Sequence, residues 1–143
     1  MIRIDYPEWK PKIKSKQQKE YIFDPFRKSW VLLTPEEWVR QNFLQYMVLV
    51  KKYPASLIAI EREIKLGELQ KRFDIVLFKD AIPWMIVECK EPNVKLDHRT
   101  LDQVLRYNIS LQLPNMVITN GNYCYGFTVR DNKLEEMDEL PMM

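Results

Sequence analysis

Apolar residues recur in the first part of the chain at spacings that predict two short strands and an amphipathic helix. Residues 21–24 and 30–33 are rich in aromatic and β-branched side chains and flank the turn at 25–28, as in two short strands. Thr34-Pro35-Glu36-Glu37 is typical of a helix start, because Thr34 suits the N-cap, Pro35 the first helical position and Glu37 a capping box. The helix is predicted to run to about Lys52, before Pro54, with a buried face made of Val39, Phe43, Met47 and Val50.

The remaining pattern predicts three strands, a second helix and a hairpin. Residues 57–66, 72–78 and 83–90 are rich in Ile, Val, Leu, Phe and Trp and predict a meander. A helix is predicted from about His98 to Leu113, capped by Asp97 or Thr100. Strands at 116–119 and 123–129 are predicted to join at Asn120-Gly121-Asn122, since Asn-Gly tolerates positive φ. The order predicts an α+β (mixed α/β) domain with helices flanking one central mixed sheet.

Composition and length set broad limits on this protein. A chain of 143 residues with 46% hydrophobic and 29% charged residues is typical of one globular domain. Its apolar runs are far shorter than the roughly 18 residues that a membrane span requires, and residues 1–19 lack the apolar core of a signal peptide. A cytoplasmic protein without membrane contact is therefore predicted. Two unpaired cysteines and one histidine argue against zinc sites, and three glycines provide no phosphate-binding loop for an ATPase motor.

The charge distribution divides the chain into three predicted parts, although its net charge is only +2. Residues 1–19 form a predicted basic arm, 20–130 the folded domain and 131–143 an acidic tail, where five acids outnumber a single lysine. A basic arm can follow the phosphates of a nucleic acid or can simply be solvated, and the sequence favours neither reading. For the acidic tail, plain solvation is favoured.

The candidate chemistry lies on the second and third strands of the predicted meander. If residues 79–83 form the connecting loop, Phe78 pairs with Trp84, and counting outward places Asp74 opposite Glu88. Carboxylates in that arrangement have Cβ atoms roughly 5 Å apart and destabilise a sheet unless a cation lies between them. Lys90 shares the face of Glu88, because side chains two residues apart point the same way. The alternative is a solvated strand end with Asp74 in a salt bridge, but the apolar context favours a metal site.

The second predicted helix carries a polar, basic face opposite its apolar one. Gln103 and Tyr107 are one turn apart, and Arg99 and Arg106 lie on the same side. Leu101, Leu105 and Ile109 are predicted to form the buried side. The polar face is either a contact for the DNA backbone or an ordinary solvated surface. Cys89 lies within an apolar strand, where a small buried side chain is a better interpretation than a catalytic thiol.

These residues resemble a known family. Phe73-Asp74, Glu88-Cys89-Lys90 and the Gln103…Tyr107 pair resemble the D…ExK…QxxxY series in the N-terminal nuclease domain of type I restriction enzyme R subunits, part of the PD-(D/E)xK superfamily. Residues 33–41 and 118–121 are also similar, so that the resemblance extends from about residue 21 to residue 128. Phe73 stands where the family usually has proline.

The resemblance implies a restriction-endonuclease-like fold and a Mg²⁺ site, with Mn²⁺ as a substitute. Asp74, Glu88 and the backbone carbonyl of Cys89 would bind the metal, and Lys90 would be the catalytic lysine. Gln103 and Tyr107 would be accessory residues. Family members often carry a further acid on the first helix, for which Glu37 is the candidate, although its capping box explains it equally well. Glu61 and Glu63 could approach the site, but charges on an edge strand explain them equally well.

The predicted function is Mg²⁺-dependent endonuclease cleavage of DNA without an ATPase motor. Implied partners are DNA and other restriction or repair subunits. The alternative is a catalytically silent module that keeps the nuclease fold and binds nucleic acid or protein. A third interpretation, a purely structural interaction domain, draws on the aromatic residues near Trp9, Trp30 and Trp38.

Overall fold

A mixed β-sheet with one helix packed on each face organises the protein. The computed structural model describes residues 1–66, 68–111 and 113–143, and the side chains of all of these except 66, 69 and 107–111. The strands are β1 (Ile2–Arg3), β2 (Ile13–Lys16), β3 (Lys19–Asp24), β4 (Ser29–Leu32), β5 (Ile58–Leu66), β6 (Leu69–Lys79), β7 (Ile82–Cys89), β8 (Asn115–Thr119), β9 (Tyr123–Arg130) and β10 (Lys133–Met137). The helices are α1 (Pro35–Gln45) and α2 (His98–Leu111). The predicted α+β class is confirmed.

The larger sheet has seven strands in the order β1-β9-β8-β7-β6-β5, with β10 also paired to β9. The β5-β6-β7 meander is antiparallel, as predicted, and β7 pairs with β8 in parallel. A parallel pair needs a long crossover, and α2 supplies it. The sheet is therefore mixed because of this one connection.

Two hydrophobic cores form on opposite faces of this sheet. Val39, Phe43 and Leu44 of α1 pack on one face against Ile75, Leu77, Met85 and Val87. On the other face, Val104 of α2 packs with Leu96 and Leu113 against Val76, Ile86, Met116 and Ile118. Leu101 and Leu105 are partly buried in this second core, as predicted, whereas the side chain of Ile109 lies outside the described residues. Because β6 and β7 are covered on both faces, they read as nearly continuous apolar runs.

The start of α1 confirms the predicted cap. The backbone amide of Glu37 donates a hydrogen bond to Oγ1 of Thr34 at 3.0 Å, and Pro35 occupies the first turn. After Gln45 the helix continues as one π-helical turn over Tyr46–Val50. The prediction that Val50 belongs to the buried face is wrong, because its side chain is 41% exposed. Leu49, next to it in the same turn, is 42% exposed, so the end of the π turn faces solvent.

The first two predicted strands do not join the central sheet. β3 and β4 pair instead with β2 in a separate three-stranded antiparallel sheet. The β2 segment Ile13-Lys14-Ser15-Lys16 has too few apolar residues to be recognised as a strand from sequence. Sequence reasoning therefore combined two sheets into one.

Both termini also contribute strands, in segments that the sequence predicts to be an arm and a tail. β1 pairs with Tyr123 and Cys124 of β9, and Ile2 and Ile4 are buried in the first core. β10 pairs along the rest of β9, and Leu140 beyond it is buried. Their few apolar residues alternate with charges, so that the charge runs hide the buried positions.

The β6–β7 hairpin differs from the prediction at its turn. Its loop is only Asp80-Ala81, both with positive φ, rather than residues 79–83, and Phe78 pairs with Pro83 rather than Trp84. A β-bulge at Trp84 then restores the predicted register, since Leu77 pairs with Met85. The Asn120-Gly121 turn is confirmed: Gly121 has φ +91°, and the side chain of Asn120 accepts hydrogen bonds from two following amides.

None of the helices in the described residues is long and apolar enough to cross a membrane.

We expect Ala81→Gly to stabilise the protein by roughly 0.5–1 kcal/mol, because Ala81 has φ +63° and its Cβ is strained there. The gain is reduced by the greater entropy of glycine in the unfolded chain. Urea unfolding measures it. Ala55→Gly, in an ordinary 3₁₀ turn, is the matched control and should destabilise; equal destabilisation by both would contradict the strain argument.

Candidate metal centre

The candidate site forms where the ladder between β6 and β7 ends. The last bridged pair is Ile75 with Val87, and continuing this register by one residue places Asp74 opposite Glu88, as the sequence predicts. The backbone amide of Cys89 donates a hydrogen bond to Oδ2 of Asp74 at 2.7 Å. The Asp74 carboxylate thus accepts a hydrogen bond from the backbone of β7 at the point where the regular pairing of β6 and β7 ends.

Near Asp74, the side chains of β5 and β6 change the face of the sheet on which they pack. On β6, Phe73 packs in the second core but Ile75 in the first, although residues two apart normally share a face. On β5, Ile60 packs against the first core and Ile64 in the second. Between them Glu61 has φ +51°, and the flanking pairs Ile60–Ile75 and Arg62–Phe73 place it opposite Asp74. The twist at this point is the local feature that brings Glu61 to the site.

Glu88 is the most unusual carboxylate of the site. Its side chain is 13% exposed, and its Oε1 is buried without a hydrogen-bond partner among the described residues. Nζ of Lys71 lies 3.8 Å from that oxygen, as an ion pair. Burial, with the nearby charge of Asp74, raises the pKa of Glu88 to about 7. Glu88 therefore gives up its proton less readily than an exposed glutamate.

The pKa of Asp74 is raised as well, chiefly by burial. The Cys89 amide, Arg40 and Lys90 act in the opposite direction and favour the charged carboxylate. For Cys89 itself, burial raises the thiol pKa far above its ordinary value. The thiol therefore stays protonated, which agrees with its predicted role as a buried apolar residue.

Lys90 is held next to both acids. Its backbone amide donates a hydrogen bond to the carbonyl of Thr119 at 2.8 Å, which fixes the chain just after β7. Its positive charge acts to lower the pKa of Asp74, Glu88 and Glu36, so Lys90 interacts electrostatically with all three carboxylates. The structure thus brings together the three residues of the predicted D…ExK series.

The two glutamates at the start of α1 have different surroundings. The Glu37 carboxylate receives hydrogen bonds from Nη2 of Arg27 at 2.7 Å and Nε2 of Gln41 at 3.2 Å, and pairs with Nε of Arg40 at 3.1 Å. It is buried and fully engaged. Glu36 is exposed, and after burial the charge of Asp74 is the largest cause of its raised pKa. Glu36, which sequence reasoning missed, is therefore the α1 acid whose charge interacts with Asp74.

Two arginines join the acids of this region into one network. Arg27 pairs with Asp24, Glu37 and Glu61, and Arg40 pairs with Glu37, Glu61 and Asp74. Arg40 is 8% exposed, with Nη1 3.5 Å from Glu61 and 4.0 Å from Asp74. The network thus joins four carboxylates through two guanidinium groups and keeps an excess of negative charge. Glu63, by contrast, lies opposite Arg72 on an exposed part of β5.

The predicted α2 residues form a separate surface. Arg99, Gln103 and Arg106 line a shallow recess together with Asp102. Among the described contacts of Asp74 and Glu88, none involves Gln103. The side chain of Tyr107 lies outside the described residues. The accessory role of Gln103 and Tyr107 and the DNA contact of Arg99 and Arg106 stay predictions.

The donor set fits one hard cation with a largely open coordination sphere. No group of three or more His, Cys, Asp or Glu side chains in the described part of the chain is arranged to hold a metal ion by itself. Magnesium does not require one, because it typically binds one or two carboxylates and keeps several waters. Asp74 and Glu88 match that requirement, and Oε1 of Glu88 accepts no hydrogen bond from the described residues.

A comparison with protein families gives one match. The family model described as type I restriction enzyme R protein N terminus matches residues 35–141, from the start of α1 past the end of β10. The matched region includes Glu36, Asp74, Glu88 and Lys90, and leaves out the three-stranded sheet. Searches of curated proteins and of solved structures gave no match.

We expect Glu88→Gln to stabilise the metal-free protein at pH 8 by about 3 kcal/mol. The folded protein holds the Glu88 proton up to a pKa of about 7, whereas the unfolded chain releases it near 4.5, so wild-type stability falls as pH rises through that window. Glutamine carries no charge and avoids this loss. Thermal unfolding in EDTA at pH 5 and pH 8 measures the difference.

The matched control is Glu63→Gln on the exposed part of β5, which should change stability little at either pH. The pH dependence distinguishes this effect from altered packing. A Glu88→Gln variant that gained the same stability at both pH values would contradict the explanation.

Proposed function

The chain belongs to the family of type I restriction enzyme R protein N-terminal domains, and we propose that it is a Mg²⁺-dependent nuclease that hydrolyses phosphodiester bonds in DNA. The family is that of a restriction-system nuclease module. The observation that supports cleavage most is the half-buried Asp74–Glu88 pair, in which Oε1 of Glu88 has no hydrogen-bond partner among the described residues. We also propose that the sheet and its two flanking helices correspond to the restriction-endonuclease-like fold.

Each residue of the site has a proposed role. Asp74, Glu88 and the backbone carbonyl of Cys89 would hold Mg²⁺ or Mn²⁺, which when bound would lower the pKa of a water and offset the charge of the scissile phosphate. The amide of Cys89 fixes the orientation of Asp74 by its hydrogen bond. Arg40, on α1, favours the charged form of Asp74.

Lys90 is the proposed catalytic lysine. Its ammonium group is the cation next to both acids and would stabilise the negative charge that develops on the phosphate oxygens. Glu36, exposed at the start of α1, would accept a hydrogen bond from the attacking water and so orient it. The water oxygen would form the new bond to phosphorus and release a proton to solvent. The bond from phosphorus to the leaving sugar oxygen would break on the opposite side, and that oxygen would take up a proton from solvent.

We expect Lys90→Ala to reduce Mg²⁺-dependent DNA cleavage by about 100-fold or more, the usual cost of removing one charge-stabilising donor. Supercoiled, linear and single-stranded DNA are incubated with wild type and variant in Mg²⁺, in Mn²⁺ and in EDTA, and products are resolved on gels. Lys95→Ala, at an exposed lysine in the next loop, is the control and should keep full activity.

Cleavage that persists in Lys90→Ala would contradict the proposed role. If both proteins are inactive, the next measurement is Mg²⁺ titration of wild type and Asp74→Asn. Asparagine keeps an acceptor for the Cys89 amide but removes the negative charge. Metal binding lost in Asp74→Asn would support a site that needs a partner subunit. Equal binding by both proteins would favour the silent binding module.

We expect Glu36→Gln to affect the cleavage rate and Glu37→Gln to affect the stability of the fold. Glu36→Gln should lower the cleavage rate at unchanged stability, since Glu36 is exposed and its charge interacts with Asp74. Glu37→Gln should lower stability by about 3 kcal/mol, because it leaves Arg27 and Arg40 poorly compensated. Cleavage kinetics and urea unfolding measure the two effects. The assignment of Glu36 is wrong if its variant cleaves at the wild-type rate.

A further inference from the structure

One side of the three-stranded sheet faces solvent and carries none of the proposed catalytic residues. In its register Lys14 pairs with Tyr21 and Tyr21 with Leu32, while Phe23 pairs with Trp30. Residues opposite each other, or two apart on one strand, share a face. The resulting surface, here named the lysine–aromatic face, consists of Lys12, Lys14, Lys16, Lys19, Tyr21, Phe23, Trp30 and Leu32. The other side carries the buried Ile22 and Asp24.

Lysines and aromatic rings are interleaved on this face. Nζ of Lys14 lies 4.3 Å from the centroid of the Trp30 ring, and Nζ of Lys12 lies 5.7 Å from that of Phe23. The rings of Phe23 and Trp30 meet edge to face at 5.5 Å. Trp30 is nevertheless 39% exposed, and Lys14, Lys16, Gln17, Tyr21 and Trp30 line a shallow recess. The rings are thus ordered by their neighbours and still accessible.

The charge of the face has one sign. It carries four lysines, and within residues 12–32, all of them described, no Asp or Glu lies on it. Glu20 pairs with Ser15 on the other side, and Asp24 is buried and binds Arg27. A surface that combines lysines with open aromatic rings is complementary to a polyanion that also offers flat apolar groups. Unpaired nucleotides have both features, whereas a duplex stacks its bases inside.

We propose that the lysine–aromatic face binds single-stranded DNA, with lysines on the phosphates and Trp30 stacked against a base. The choice of DNA rests on the proposed function. The face lies outside residues 35–141, so it is an addition to the part that matches the family. Arg27, in the turn between β3 and β4, pairs with both Asp24 and Glu37 and so ties this sheet to α1. Strand binding here would hold substrate on a sheet that Arg27 connects to α1, the helix that carries Glu36 and Arg40.

Fluorescence anisotropy of a labelled oligo-dT with the full chain in EDTA tests the proposal. Because EDTA prevents cleavage, the outcome does not depend on nuclease activity, and failure of the nuclease proposal leaves this measurement valid. Trp30→Ala should weaken binding about tenfold, as expected for loss of one stacked base. Lys14→Gln should weaken it and lower the slope of log affinity against log salt by about 0.7.

The matched controls are Trp38→Ala, which removes a tryptophan that is also 39% exposed but lies on α1, and Lys133→Gln at the start of β10. Both should bind like wild type. Circular dichroism verifies folding, and the surface variant Lys14→Gln decides the matter if Trp30→Ala does not fold. Wild-type affinity in both test variants overturns the proposal. Duplex DNA that binds as tightly as oligo-dT and independently of Trp30 also overturns the proposal. Polyglutamate that competes as well as unlabelled oligo-dT overturns it too, and would indicate an acidic protein partner.

Discussion

The electrostatic repulsion between two half-buried carboxylates, Asp74 and Glu88, is the constraint on which the surrounding structure depends. Like charges opposite each other weaken a sheet, and burial increases the cost. The protein reduces that cost with the Cys89 amide and Arg40 at Asp74 and with Lys71 and Lys90 at Glu88. It does not remove the cost, since Oε1 of Glu88 keeps no hydrogen-bond partner in the described structure. An arrangement that costs stability without a ligand is common at functional sites.

The arginine network explains how such a site can be rigid. Arg27 and Arg40 are shared between acids from β3, α1, β5 and β6, so that four elements meet through two side chains. A buried guanidinium group with several carboxylate partners has few alternative positions, because leaving any partner uncompensated is expensive. The same contacts occupy both carboxylate oxygens of Glu37. Glu36, one residue earlier, is left to interact with the charge of Asp74.

The sequence predicted the periodic parts of this protein and missed what depends on distant partners. Apolar spacing and the Thr34 cap identified α1, α2, the meander and the Asn120-Gly121 turn to within a few residues. The opposition of Asp74 and Glu88 was predicted even though the turn was wrong, because the two-residue loop and the bulge at Trp84 compensate each other. The capping box drew attention to Glu37, although the ion pairs that occupy it come from Arg27 and Arg40, a connection that no local pattern contains.

The short strands were also missed because they depend on distant pairing partners. β1 and β10 are recognisable only through β9, to which both are hydrogen-bonded, and β2 only through β3. The Lys-rich segment of β2 reads as a solvated arm until its pairing shows that alternate residues, Lys14 and Lys16, lie on one face with Tyr21 and Trp30. Whether a basic segment is merely solvated or forms a surface depends on register, which is a property of strand pairing. Since Arg27 connects that surface to Glu37, the charge network at the candidate metal centre also sets where the three-stranded sheet is held.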